Sequence, residues 1–290
     1  MGRGMHRQSL EIIETAIEIL ETIKPTTVRS VCYQLFTRGL ITDMSKNETA
    51  KVSRLLTVAR ERGEIPWDWI VDETREVERV PQWSDGTSFI DCALRQYRKD
   101  YWQDQPYHIE VISEKGTVRG VIAAVLKEFG VPFRVMHGFA SATVANDMAE
   151  SIKTRQKNTV LLYIGDYDPS GLYMSEVDLP ERLDRYGALD YDLHRIALTQ
   201  ADIEDGDLPN FDAATKHGDT RHAWFTQHYG WKCWELDAMN PNDLRERVTG
   251  AISAYIDAAA WSHMVDIERA ERESMQTVMG EWTRVMTGQG

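Results

Sequence analysis

Between residues 107 and 198 the apolar pattern switches repeatedly between strand and helix periods, and this alternation limits the fold more than any other feature of the chain. Residues 107–112 (YHIEVI) read as a strand, and the turn SEKG follows. Val118, Val121, Ile122, Val125, Leu126 and Phe129 then recur at helical spacing, and Gly130 and Pro132 close that helix. Residues 133–136 are a second strand and 137–141 (HGFAS) a turn, after which Val144, Met148 and Ile152 mark another helix. A third strand, 160–164, runs into GDYDPSG at 165–171, and a further strand lies near 193–198. Strands that alternate with helices fold as a parallel sheet with right-handed crossovers, so the expected class is α/β.

In an open parallel sheet, ligands sit beyond the carboxyl ends of the strands. Glu114, Gly138 with Ser141, and Asp166 with Asp168 all fall there. Asp166 and Asp168 stand two apart in a turn shaped by Gly165, Pro169 and Gly171, so both are expected to face one hard cation while Tyr167 points elsewhere. That outlines a Mg²⁺ site, with Glu114 as third ligand or as acid and base in phosphoryl transfer. The plainer alternative is a solvated turn, with Glu114 merely complementing a helix dipole.

The first 82 residues follow a different rule. Leu10, Ile13, Ile17 and Leu20 predict one amphipathic helix, stopped by Lys24-Pro25. Val28, Val31, Cys32, Leu35 and Phe36 predict a second, capped at Gly39. Ser45 and Glu48 form a capping-box pattern for a third, with Val52, Leu55, Leu56 and Ala59 inward and Gly63 at its end. Read as helix-turn-helix, this unit places Lys46, Lys51, Arg54, Arg60 and Arg62 on the helix that enters a DNA major groove. The apolar segment 65–71 (IPWDWIV) reads as an extended wing, with Trp67 and Trp69 placed to touch the DNA backbone. At about 100° per residue, the second helix buries Val28, Cys32 and Leu35, which predicts that Tyr33 points outward beside Arg29, its i−4 neighbour. A phenol near positive charge is a candidate nucleophile, with an exposed tyrosine as the plainer alternative.

Charge agrees with that division. The chain of 290 residues has 33 basic against 46 acidic side chains, a net charge of −13, which excludes a generally basic nucleic-acid coat. Residues 29–62 nevertheless hold seven basic against three acidic side chains, while residues 179–290 hold 11 against 20. Phosphate neutralisation depends on local clustering, so the early segment is the DNA candidate. The expected DNA affinity is weak, dependent on divalent metal and steeply reduced by salt. Cys32, Cys92 and Cys233 are odd in number and lack ligand spacing, which points to a reducing compartment, the cytoplasm. No membrane span, signal peptide or myristoylation pattern is read. From about residue 240 onward, Leu244, Val248, Ile252 and Ile256 and a run over 262–286 predict helices that pack on the sheet, with a dimer surface as the alternative.

ISEKG at 112–116 together with GDYDPSG at 165–171 resembles the Toprim domain, and the DxDPxG form is most similar to the A subunit of topoisomerase VI and the transesterase of meiotic double-strand breaks. Arg29-Ser30-Val31-Cys32-Tyr33 resembles that family's motif of Arg, two residues, then Tyr-Tyr, with Cys32 in place of the first tyrosine. WELDA at 234–238 and the 216–221 region are similar to later parts of the family, and the compact length resembles its Mini-A members from mobile elements and bacteria. The resemblance implies a winged-helix domain at 1–82, a connector at 83–105 and a Toprim domain at 106–290 with C-terminal helices. It implies Tyr33 as the attacking residue, Arg29 on the scissile phosphate, and Glu114, Asp166 and Asp168 for Mg²⁺. It also implies cleavage of double-stranded DNA through a 5′-phosphotyrosyl link by a homodimer in which one protomer's tyrosine meets the other's metal site. No ATPase domain of the GHKL type is read in the chain, so topoisomerase strand passage implies a separate ATPase subunit. A Toprim nuclease that uses water, and a DNA-binding regulator without catalysis, are the alternatives.

Overall fold

Two turns that only particular residues allow set the first helices. Helix α1 (Arg7–Ile23) buries Ile12, Ala16, Ile19 and Leu20 and ends where Pro25 has no N–H to continue it. Helix α2 (Val28–Thr37) starts at Thr27, whose hydroxyl accepts the Ser30 N–H at 3.0 Å. Gly39 at φ 73° ends that helix, the left-handed cap that glycine adopts without strain. Helix α3 (Lys46–Glu61) is capped by Ser45, but the capping box closes on one side only: the Ser45 N–H donates to Asp43 at 2.8 Å, and Glu48 lies beside Lys51. The three helices enclose Val31, Leu35, Val52, Leu56, Ile65 and Ile70.

The computed structural model describes residues 7–71, 80–136, 142–205 and 207–286. The expected wing is not the extended strand read from the sequence. Pro66 starts a 3-10 turn over Trp67–Trp69, and only a single parallel bridge joins Ile70 to Thr26. Arg60 covers the Trp67 ring at 4.3 Å and donates to its carbonyl at 3.0 Å, while Lys24 covers Trp69 at 3.7 Å, so both rings are tied to the chain's own cations.

Strands β1 (Tyr107–Ser113), β2 (Phe133–Val135), β3 (Asn158–Ile164) and β4 (Tyr191–Ala197) form a parallel sheet in the order β2-β1-β3-β4. Helix α4 (Gly86–Gln96) precedes the sheet, α5 (Thr117–Phe129) links β1 to β2 and α6 (Ala142–Thr154) links β2 to β3. Between β3 and β4 come α7 (Pro169–Tyr173), one π-turn and α8 (Leu179–Arg185). Right-handed crossovers place α5 on one face and α6 with α8 on the other, where Met148, Ile152, Leu161, Tyr163, Leu179 and Leu183 share a core. After α9 (Gln200–Glu204), the short pair β5 (Phe211–Asp212) and β6 (Lys232–Cys233) brackets α10 (His222–Tyr229), and α11 (Pro241–Ser253) packs on α5 and β4. The turn 137–141, with Gly138 and Ser141, lies outside the described residues.

The chain divides into two compact units, Met1–Thr74 with Ile109–Ala254, and Arg75–His108 with Tyr255–Gly290. The second holds α4 (Gly86–Gln96) against α12 (Ala258–Met286), with the Gly86 backbone so near the Trp282 ring that a Cβ would stand 2.7 Å from it. The segment expected as a connector therefore pairs with the C-terminal helix, and that helix packs on α4, whereas α11 takes the place expected against the sheet. Among the described residues no helix is long and apolar enough to cross a membrane.

Within the first unit, Val71 lies on α5 so closely that a Cβ at Gly120 would meet its Cγ1 at 2.2 Å. Gly120→Ala is expected to lower stability in urea by about 1–3 kcal/mol despite the helix propensity gained, and adding Val71→Ala to recover part of it. Unchanged stability of the single variant would contradict this packing.

Candidate active site

The sheet order fixes where the chemistry gathers. The connection from β1 runs outward to β2, whereas β3 lies on the other side of β1, so the crevice opens at the carboxyl ends of β1 and β3. Glu114 follows β1, and Asp166 follows β3 by two residues. The loop after β3 is held tightly. Gly165 donates to the Ala197 carbonyl at 2.7 Å and accepts the Leu198 N–H at 2.8 Å, and a Cβ at Gly171 would stand 2.4 Å from the Asp166 carbonyl, so glycine is required there. Asp168 caps α7 by accepting the Gly171 N–H at 2.8 Å. Tyr167 points away, paired through its backbone with Trp234 and ringed by Phe225, Tyr229 and Trp234.

The two aspartates do not face each other across an open cation site. Asp166 accepts Lys115 Nζ at 2.8 Å and the Leu236 N–H at 2.7 Å, while Lys216 Nζ lies 3.1 Å from Asp168. Lys115 also reaches Asp237 at 3.0 Å, whose other oxygen accepts the Thr27 hydroxyl at 2.6 Å. Arg195, buried over the Tyr163 ring at 5.1 Å, donates to the Asp166 carbonyl and to that of Leu198. Burial opposes charge on Lys115, but Asp166 and Asp237 outweigh it and hold the ammonium charged. Asp237, equally buried, is kept below the usual carboxylate range by Lys115 and Thr27. Burial raises Asp166 against the pull of Lys115. Glu114 is pushed up to about 7 by burial and then by the charges of Asp166 and Asp168, which Lys115 and Arg195 only partly offset.

Among the described residues, no three or more His, Cys, Asp or Glu side chains stand ready to hold a metal ion. The convergence expected of Glu114, Asp166 and Asp168 is thus interrupted by Lys115 and Lys216. The donor chemistry still fits a hard divalent cation. All three offer only oxygen, and the raised Glu114 marks a site short of positive charge. An ammonium must leave each aspartate before a cation takes it.

Tyr33 departs from the expectation. It is 4% exposed, not outward-facing. Helix α2 has two buried sides: Val31, Cys32 and Leu35 enter the helical core, and the other side rests on the turn Leu236–Ala238. Arg29 grips Glu235 through Nε and a terminal nitrogen, and the Tyr33 hydroxyl lies within electrostatic reach of the same carboxylate. Burial, then Glu235 and, more weakly, Asp166 hold Tyr33 protonated well above its ordinary range, against the pull of Arg29. Tyr33 thus lies within electrostatic reach of Asp166 of its own chain, where the resemblance implies a partner's site. An open cleft of about 410 Å³ is lined by Thr27, Arg29, Lys115, Asp166, Glu235 and Asp237.

The five basic residues of the α3 region lie elsewhere, and none lines the cleft. Lys46 is exposed, Lys51 is 3.7 Å from Glu48, Arg54 bonds the Ala50 carbonyl, Arg60 is engaged by Trp67, and Arg62 is 3.9 Å from Glu64. Sequence reasoning missed Lys115, Lys216, Arg195, Glu235 and Asp237 as site residues. Lys115 and the WELDA segment stood inside the motifs quoted, but no local period shows that they meet.

Because folding raises Glu114, the folded chain binds that proton more tightly than the unfolded one, and stability falls as pH rises through about 7. With metal chelated, Glu114→Gln is expected to match the parent near the ordinary carboxylate pKa and to exceed it by about 1–3 kcal/mol above neutrality, read by urea unfolding. A pH-independent difference would contradict the assigned shift. No family model matches the chain and no curated protein matches it, so the site is read from its residues and their geometry.

Proposed function

We propose that the chain cleaves double-stranded DNA by tyrosine transesterification, as a three-helix unit joined to a Toprim-like sheet. The observation that carries this reading is that Arg29 of α2 meets the Glu235–Asp237 turn beside Asp166, so that two cations and three carboxylates line one cleft within electrostatic reach of the buried Tyr33 phenol.

Arg29 and Lys115 hold the scissile phosphate and offset the charge that builds on it. The Tyr33 oxygen attacks phosphorus, the bond to the 3′-oxygen breaks, and a 5′-phosphotyrosyl link results. The phenolic proton passes to a carboxylate, for which Glu235, within electrostatic reach of the Tyr33 hydroxyl, is placed. Glu114, poised near neutrality, is suited to return a proton to the leaving 3′-oxygen. Asp166 and Asp168 would hold Mg²⁺, which supplies Lewis-acid charge at the phosphate, with Glu114 as third ligand in place of its acid role. Two copies acting on opposite strands give a double-strand break, and strand passage requires a separate GHKL-type ATPase. The free thiols Cys32, Cys92 and Cys233 suit the cytoplasm.

One observation favours a second reading. Tyr33 is held protonated in the free chain, which suits water as the nucleophile in a Toprim-type hydrolysis. Plasmid cleavage with Mg²⁺ or Mn²⁺, quenched in SDS and probed for protein on DNA ends, separates the two. The expected result is protein-linked 5′ ends that Tyr33→Phe reduces by at least roughly a thousandfold and Asp166→Ala abolishes. Undiminished cutting by Tyr33→Phe with free ends would overturn transesterification in favour of hydrolysis.

A further inference from the structure

We propose that the cleft is a built anion site for a nucleic-acid phosphodiester, and that Glu235 holds its place in the free chain; the inference rests on the DNA-cleaving reading above. Three sources of positive charge converge there: the Arg29 guanidinium, the Lys115 ammonium and the positive end of α2, whose N-cap is Thr27. Three carboxylates answer them, Asp166 taking Lys115 at 2.8 Å and Glu235 and Asp237 facing α2. Glu235 takes Arg29 at two nitrogens, the fork-on-fork geometry in which a guanidinium also takes two phosphate oxygens. Asp237 takes Thr27 at 2.6 Å and Lys115 at 3.0 Å.

The two carboxylates that face α2 differ in how firmly they are held. Asp237 is enclosed and fixed from two elements, by α2 and by Lys115. Glu235 is held by Arg29, whose side chain remains 42% exposed on an open cleft that a phosphate can enter. The backbone before Glu235 is anchored independently, because Trp234 exchanges two hydrogen bonds of 2.9 Å with Tyr167. The Glu235 side chain can therefore leave Arg29 without moving the backbone. Displacement leaves Glu235 free within electrostatic reach of the Tyr33 hydroxyl, so phosphate arrival and readiness of the nucleophile are linked.

The test is fluorescence anisotropy with a short fluorescein-labelled duplex, in EDTA so that no strand is cut, over a range of salt. Glu235→Gln is expected to bind roughly tenfold more tightly than the parent, with a salt slope steeper by about one phosphate contact. Adding Arg29→Gln to it is expected to erase both gains. Unchanged or weaker binding by Glu235→Gln, or a gain that survives the loss of Arg29, overturns the proposal. Thermal melting checks that the variants fold. Should they fail, the Arg29 Nε–H resonance of the unaltered chain decides: it is expected to shift as the duplex is titrated in, and a stationary resonance overturns the proposal. A parent chain that forms no covalent adduct on plasmid, beside tighter binding by Glu235→Gln, removes the transesterase reading and leaves the anion site; the reverse pattern removes the anion site alone.

Discussion

The Lys115 ammonium, shared between Asp166 and Asp237, is the interaction on which the rest of the first unit depends. Asp166 follows β3, Lys115 follows β1, and Asp237 belongs to the turn that receives α2 through Thr27. One cation thus links the sheet's central crevice to the helical unit. Removing water from three charges is costly, and such a cluster is retained only where each charge is answered. Here each is: Asp166 also has the Leu236 N–H and Asp237 has the Thr27 hydroxyl.

The same arrangement explains why Glu114 stands apart. Lys115 serves Asp166 and Asp237, and Lys216 serves Asp168, so Glu114 is left with burial and its neighbours' negative charge. A carboxyl in that position takes and releases a proton near neutrality, whereas Asp237 stays ionised. Two carboxylates, separated by their surroundings, thus take two different protonation states near neutrality.

Much of the fold was legible because its elements are periodic. Strands 107–113 and 158–164 and the helix after Gly116 follow local patterns, and Gly39, Gly63 and Gly130 end helices where their positive φ is required. The position of Glu114, Asp166 and Asp168 at strand ends followed from the alternation alone. The orientation of Tyr33 did not, because a helical wheel assigns one buried face and α2 has two. The second is made by Glu235, 206 residues away from Arg29, and no period reports a contact of that separation. Lys115 escaped for a related reason: as a strand-end lysine it reads as solvated until Asp166 and Asp237 are seen to converge on it. The wing failed locally, where Pro66 and the tryptophans favour a tight turn tied to Arg60 and Lys24.

The central claim is that nucleophile and carboxylates form one site within a single chain. Mixing two inactive proteins, Tyr33→Phe and Asp166→Ala, tests it most directly, with covalent DNA adduct as the readout. The account predicts that the mixture stays inactive, because neither chain holds a complete site. Restored adduct on the Asp166→Ala chain would show that Tyr33 acts on its partner's carboxylates and would contradict it.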